Sequence, residues 1–512
     1  MESYFNGKSW LLIPMLFLFL AEFIPVVFAA DNPPAFLWAK QMGGTKENSS
    51  EGIAVDKAGN IYVTGRMDYE HHQSIGTHGW SHKGGKVFVA KYDPSGNLLW
   101  LQKSGGGSND HAIGNGIAVD GLGDIYVTGS FSGEINFNET KLTSKGELDS
   151  FLAKYDANGK LIWVRQAGGK NCFCESYAIA ADKKGRIYIT GNFVGKAAFG
   201  SDDMISRGGI EPGHDSDVFL VKYNSSSGDM VWLRQAGEAG ENTGHGIAVD
   251  NNDNVYVTGR FSGGQGVYVE GSGVRLSISF GNVKITQMEN IKNTDTNGNC
   301  LFNFITKYNG DGKVLWAKPT AGLSTYGTQN SMAINKSGQV YVAGSFNFAL
   351  KFDGISLTNT QDGNDEIFLV KYDANGKVLW GRSAGGKAHD ECFGVAVDNA
   401  GNAYIAGYFD EAAMFGGVQL HAIVHDPQLS YAPSFVAKYN LSGDVVWVKN
   451  IDTAHGFSPI EAVALNERGD IYITGPFSDG INVDGAILKP IKNIFGQVSG
   501  DIFVAKLGMS GN

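Results

Sequence analysis

Apolar and polar residues alternate along this chain in short runs, each closed by a turn-forming Asp, Asn or Gly. A period of two predicts half-buried β-strands rather than helices. The pattern repeats. One double run occurs at Gly52–Met67 (GIAVDKAGNIYVTGRM), Gly116–Phe131 (GIAVDGLGDIYVTGSF), Ala178–Phe193 (AIAADKKGRIYITGNF) and Gly246–Phe261 (GIAVDNNDNVYVTGRF). It returns at Ser331–Phe346 (SMAINKSGQVYVAGSF), Gly394–Phe409 (GVAVDNAGNAYIAGYF) and Ala462–Phe477 (AVALNERGDIYITGPF), which makes seven copies. The repeated Tyr (Tyr62, Tyr126, Tyr188, Tyr256, Tyr341, Tyr404, Tyr472) recurs every 62 to 68 residues, except for one gap of 85. That gap places an insertion at about residues 262–302.

A second run follows: Phe88–Trp100 (FVAKYDPSGNLLW), Phe151–Trp163, Phe219–Trp232, Phe304–Trp316, Phe368–Trp380 and Phe435–Trp447. Each repeat therefore reads as four strands, A (IAVD), B (NIYVTGRM), C (FVAKYD) and D (NLLWLQ), rich in β-branched and aromatic residues. The A–B and C–D links are short Asp/Gly hairpin turns and fall together on one face of a disc. The long B–C and D–A segments fall on the other. Several B–C segments carry a further apolar set, such as Ile135, Phe137 and Leu142, which predicts a small extra hairpin. The seventh copy stops at Phe503–Leu507 without its Trp strand, and the missing strand stands at the other end as Phe36–Lys40. The expected fold is all-β. It is a seven-bladed β-propeller of four-stranded antiparallel blades, closed by an N-terminal outer strand pairing with the C-terminal blade, which removes two exposed sheet edges.

These signatures, D-GN-YVTG-F and F-AKY-GN-W, resemble the bacterial seven-bladed β-propeller (SBBP) repeat family over nearly all of residues 35–507. The resemblance implies a propeller exported to the cell surface or beyond, in a family usually without an assigned activity.

The N-terminus changes the picture of compartment. Lys8 precedes an apolar stretch from Trp10 to Ala21, and Val27-Phe28-Ala29 offers a cleavage site. Residues 1–29 read as a signal peptide, leaving 30–512 as one propeller that is secreted, at the cell surface or periplasmic. Pro14, Glu22 and Pro25 make the stretch a poor membrane span, and no later run is long and apolar enough to cross a bilayer. Loss of the leader, with Lys8, Glu2 and Glu22, takes the net charge from −11 to −10. So acidic a chain offers nucleic acid no electrostatic foothold. Four cysteines (Cys172, Cys174, Cys300, Cys392) are too few for a disulfide framework. Cys392 has Cys172 or Cys174 as possible partners, which sequence alone does not decide.

Repetition separates scaffold from site: a residue present in every blade serves the blade. The repeated Lys (Lys91, Lys154, Lys222, Lys307, Lys371, Lys438, Lys506), the Trp set beginning at Trp38 and the repeated Tyr are read as structural, and Asp56 and its equivalents as turn residues. All eleven His fall in the B–C or D–A segments. The B–C segment 68–86 holds Tyr69, His71, His72, His78, Trp80 and His82, a set suited to stacking and hydrogen-bonding a sugar. His78 and His82 would also serve as metal ligands if a turn joined them. His389, Asp390 and Glu391, beside Cys392, together with Asp110 and His111, are the acid–base candidates if the chain is an enzyme. Asn293, Asp295 and Asn297 open like a calcium loop, but its twelfth position is Phe304, not Glu. Calcium is thus a weak candidate, and no other cofactor is expected.

The expected function is a non-catalytic, monomeric binding or scaffold propeller. It would engage a polysaccharide or cell-surface protein through its long-loop face. The alternative is a polysaccharide lyase or hydrolase with its His and carboxylates on that face.

Overall fold

The computed structural model describes residues 32–44, 46–72, 81–106, 110–207, 215–262, 274–289, 301–320, 331–347, 349–359, 364–422, 431–452, 456–478, 480–491 and 500–508. Residues 1–29, read above as a signal peptide, therefore lie outside the described residues. Within them every regular element is a β-strand, and the molecule is an all-β propeller of four-stranded antiparallel blades.

Repeat 1 shows the layout. Strand A (Glu47–Val55) pairs with B (Ile61–His72), B with C (Ser81–Tyr92), and C with D (Leu98–Lys103). The same antiparallel order recurs in repeats 2 to 7. In repeat 7 the D position is taken by Ala35–Met42, with Ala35 opposite Gly508 and Met42 opposite Ile502. Strand A of each repeat lies beside strand A of the next, and that of repeat 7 beside that of repeat 1. The Ser50 and Thr474 hydroxyls meet at 2.8 Å across the latter boundary.

The motif residues explain the packing. Each A–B turn is closed by its Asp or Asn: Asp56 accepts from the Asn60 amide at 2.9 Å, and Gly59 takes a φ of 87° that suits glycine. The buried Tyr62 donates to the same Asp56 at 2.9 Å. Its ring lies 6.3 Å from that of Trp100, and Trp38 and Tyr472 make the equivalent pair at 6.4 Å in repeat 7.

The repeated Lys and Trp act together between repeats. Lys154 Nζ and Trp163 Nε1 both donate to the Ser225 carbonyl in the C–D turn of repeat 3, at 3.0 and 3.2 Å. Lys222 and Trp232 take the Gly310 carbonyl of repeat 4 in the same way, at 2.7 and 3.0 Å. The Trp38 indole reaches the Pro94 carbonyl of repeat 1 at 3.1 Å, with Gly96 beneath it. A Cβ at Gly96 would come within 2.8 Å of that indole. Repeat 7 has no C–D hairpin, because its C and D strands come from distant parts of the chain. Among the described residues, Lys438 of repeat 6 keeps only the contact that the repeated Lys makes in every repeat, lying over its own Tyr404 ring at 5.2 Å as Lys91 lies over Tyr62.

The B–C segments add hairpins, as expected from Ile135, Phe137 and Leu142. They are found at Glu134–Thr143, Lys196–Ile205, Val274–Glu289, Ala349–Thr358, Ala412–His421 and Ile481–Leu488. In repeats 3, 4 and 6 the hairpin pairs with the D strand of the preceding repeat, giving six-stranded sheets. The described part of the insertion is one of these hairpins, lengthened: Phe280 lies opposite Ala236 of repeat 3.

The described strands form eight sheets of three or more strands, one more than the repeats lead one to expect. The additional sheet joins the Glu134–Thr143 hairpin to Gly105–Gly106. Ser104 detaches it from the D strand of repeat 1, because its amide and hydroxyl both turn back to the Val87 backbone, at 2.8 and 3.0 Å.

Candidate functional site

Strand A begins well before the IAVD motif, and that extension builds the site. In repeats 1, 2, 3, 4 and 6 the A–B register slips just ahead of the motif, so one residue bulges out of the ladder. The repeated Gly of strand B makes room for it. A Cβ at Gly65, Gly129, Gly191, Gly259 or Gly407 would collide with the carbonyl of the A-strand residue two before the bulge. The bulged residues are Glu51, Asn115, Tyr177, His245 and Phe393, and Glu461 holds the same place in repeat 7. The frame is copied in every case, and the side chain it presents is not.

Two arcs result. On the side of repeats 6, 7 and 1, Glu461 is held well above the usual carboxylate range, by burial and by the Glu51 and Glu391 carboxylates from the neighbouring repeats. Arg66 offsets part of that charge. Its Nε donates to Ser49 Oγ at 3.2 Å, and Ser49 Oγ donates to Glu51 at 2.8 Å. On the side of repeats 3 and 4, Tyr177 donates to Glu175 at 2.6 Å and its ring lies 5.1 Å from that of His245. His245 is 8% exposed, and neither ring nitrogen has a hydrogen-bond partner. Burial, with Arg260 beside it, holds the imidazole neutral, well below its ordinary range.

The acid–base candidates flank this ring without joining into one centre. His389 Nδ1 lies 3.3 Å from Asp365, a buried carboxylate of repeat 5. Glu391 is pushed up to about 7, first by burial and then by Asp365, and burial pushes Asp390 up to about 8. Asp390 accepts from the Gly386 amide at 2.6 Å. His111 belongs to a different group. Burial, then Arg66, holds it down to about 4, and its backbone amide donates to the Ser132 hydroxyl at 3.2 Å. Asp110 stands beside it, against Gly133.

The arm of repeat 1 differs from expectation. Its B and C strands run on as a ladder that places His71 opposite His82 and His72 opposite Ser81, so the segment is an extended hairpin. Tyr69 is buried, with the Arg66 guanidinium 4.0 Å from its ring centre, so that face is closed to a sugar. His78, Trp80, Asn293, Asp295, Asn297 and Cys300 lie outside the described residues, as do the side chains of His71, His72 and His82. The histidines are not confined to loops: His71, His72, His82, His245 and His421 stand in strands, because the arm and the A strands extend beyond the repeated motifs. Cys172, Cys174 and Cys392 are buried free thiols, so Cys392 does not bridge to either of the other two. No group of three or more His, Cys, Asp or Glu among the described residues is placed to hold a metal.

The repeat test, applied to loops, missed the bulge ring. Its signal was present one residue ahead of the motif, where Glu51, Asn115, Tyr177, His245, Phe393 and Glu461 vary beside a constant frame.

Residues 37–66, 105–130 and 231–260 match the SBBP β-propeller repeat. The chain is 24% identical over 540 residues to an uncharacterized WD repeat-containing protein of Acanthamoeba polyphaga mimivirus, covering 92% of this chain and 38% of that protein. It is 25% identical over 399 residues to the regulatory protein FlaEY of Caulobacter vibrioides, covering 75% of this chain and 38% of that protein. It thus spans well under half the length of both relatives. A solved structure from Dyadobacter fermentans, of unknown function, is 10% identical with a TM-score of 0.42, covering 93% of this chain and all of that one.

Proposed function

We propose that this β-propeller is an exported binding scaffold that holds a polysaccharide at the axial mouth of its long-loop face. We read its architecture as seven blades closed by the Ala35–Met42 strand; the extra sheet is a satellite of repeat 1, not a blade. The pairing of Ala35–Met42 with Asp501–Gly508 and the neighbouring A strands of repeats 7 and 1 support that reading. Export rests on the leader-like residues 1–29.

One observation carries the binding reading. Equivalent positions present Glu51, Asn115, Tyr177, His245, Phe393 and Glu461 around one axis, and the repeated frame does not fix which side chain stands there. Carboxylates, an amide and aromatic rings around a mouth suit a polyhydroxylated ligand, which stacks on rings and donates hydroxyls to carboxylates. A cell-surface protein is the other ligand class for this face. The test is binding of the full chain to a glycan array. Binding should weaken at least tenfold in a Glu51→Gln, Glu461→Gln double variant that melts normally. Unchanged binding in that variant sinks the reading.

A second reading has one observation in its favour, namely Glu391 shifted to about 7 within reach of the His389–Asp365 pair. A polysaccharide lyase or hydrolase would use such a pair as acid and base. Cleavage of a polysaccharide panel, lost in His389→Gln, would establish it. Absence of cleavage leaves the scaffold reading alone.

A further inference from the structure

The axial ring contains two donors that the protein itself leaves unused. Arg260, in strand B of repeat 4 (Val255–Ser262), is partly buried, and its fully shielded Nε has no hydrogen-bond partner among the described residues. Its counterpart in repeat 1, Arg66, is fully engaged: Ser49 takes its Nε, and Tyr69 lies under its plane. His245 is nine-tenths buried beside Arg260, with both ring nitrogens unpartnered. Leaving such groups unmade inside a protein costs stability, and native structures rarely tolerate it without a reason. Here three unmade donor or acceptor atoms meet at one corner of the mouth. The Tyr177 ring closes the side toward repeat 3, 5.1 Å from the imidazole. Glu175, a carboxylate of that corner, is already committed to the Tyr177 hydroxyl at 2.6 Å and to Ser130 at 3.4 Å.

We infer that the Arg260–His245–Tyr177 corner receives a ligand carboxylate, and hence that the polysaccharide held at the mouth carries a uronate. A planar guanidinium matches a carboxylate with two parallel N–H donors, and an imidazole N–H supplies a third. The sugar ring then has Tyr177 to stack on, and its hydroxyls point across the mouth toward Glu51 and Glu461. The net charge of −11 opposes the approach of a long polyanion. The corner therefore takes a single uronate, terminal or isolated among neutral sugars. This inference rests on the binding reading above and adds the ligand class.

The test uses the full chain and short uronate oligosaccharides (galacturonate, glucuronate and mannuronate types), each beside its carboxyl-reduced form, in titration calorimetry. The acid form should bind and the reduced form should bind about 10- to 100-fold more weakly, the range lost with one charge-assisted hydrogen-bonding group. Arg260→Gln should erase that difference, and Arg260→Lys, which keeps the charge but not the fork, should restore only part of it. His245→Phe, which removes the unpaired nitrogens, should bind the acid form less well while melting no lower than the parent. Equal affinity for acid and reduced forms would overturn the inference but leave the binding site standing, provided Glu51→Gln with Glu461→Gln still weakens both. No binding of either form overturns it as well.

Discussion

Two rings of side chains run around this propeller, and they obey opposite rules. The first lies at the outer strands, where Lys154 and Trp163, Lys222 and Trp232, and their equivalents in repeats 1, 4 and 5 grip one carbonyl of the next repeat. There the residue types are constant and the polar atoms are paired. The second lies at the A-strand bulge, where Glu51, Asn115, Tyr177, His245, Phe393 and Glu461 occupy one backbone position with five different kinds of side chain. There carboxylates crowd one another, and His245 and Arg260 retain unpaired nitrogens. Constant, satisfied groups hold the repeats together. Divergent ones, some of them unsatisfied, are the part that the binding reading leaves for a ligand.

The comparison breaks most severely if the outer ring is opened. Removing residues 35–42 strips the partner of Asp501–Gly508 and the Trp38 contact with Pro94. The bare edge should drive association, read as loss of the monomer peak in size-exclusion chromatography. Gly407→Val comes next. Its side chain would meet the carbonyl of Glu391, two residues before the bulged Phe393, and the loss should reach about 4 kcal/mol or more in urea unfolding. Trp232→Ala deletes a buried ring and one of the two bonds to Gly310, and should cost about 3 to 5 kcal/mol by the same assay.

Smaller effects come from the other ring and the groups that flank it. Asp390 stays protonated up to about 8 in the fold, whereas the unfolded carboxyl ionises near 4. The native state then holds the extra proton, so stability falls as pH rises through that interval. His111, held neutral down to about 4, acts oppositely, removing stability as pH drops below about 6.5. Above that point the acid groups act alone. Stability should fall by about 1 to 2 kcal/mol between pH 6.5 and 8, and Asp390→Asn should flatten the slope. The smallest effect has the opposite sign. His245→Phe should stabilise the chain by about 1 kcal/mol, because it removes buried nitrogens that have no partner.

The outer ring was legible in the sequence because its residues recur at fixed offsets. Trp38 and Phe503–Leu507 announce each other as the two halves of one repeat, and the mid-strand Lys is identified as structural by its recurrence. The bulge ring was not read, for a physical reason. One extra residue at Glu51 or Tyr177 breaks the period of two, so the alternation before it looks like loop. Read by alternation alone, strand A starts at the motif, which leaves His245 in a segment outside the sheet. Tyr69 was misjudged for a related reason: nothing local reveals that Arg66, three residues earlier, covers its ring.

The claim that the divergent axial ring binds the ligand is tested most directly by following the histidines. In a chain labelled with ¹⁵N only at His, titration with a binding oligosaccharide should shift both His245 ring nitrogens and leave His71, His72, His78 and His82 of the arm unmoved. Shifts confined to the arm, with His245 silent at saturation, would contradict it.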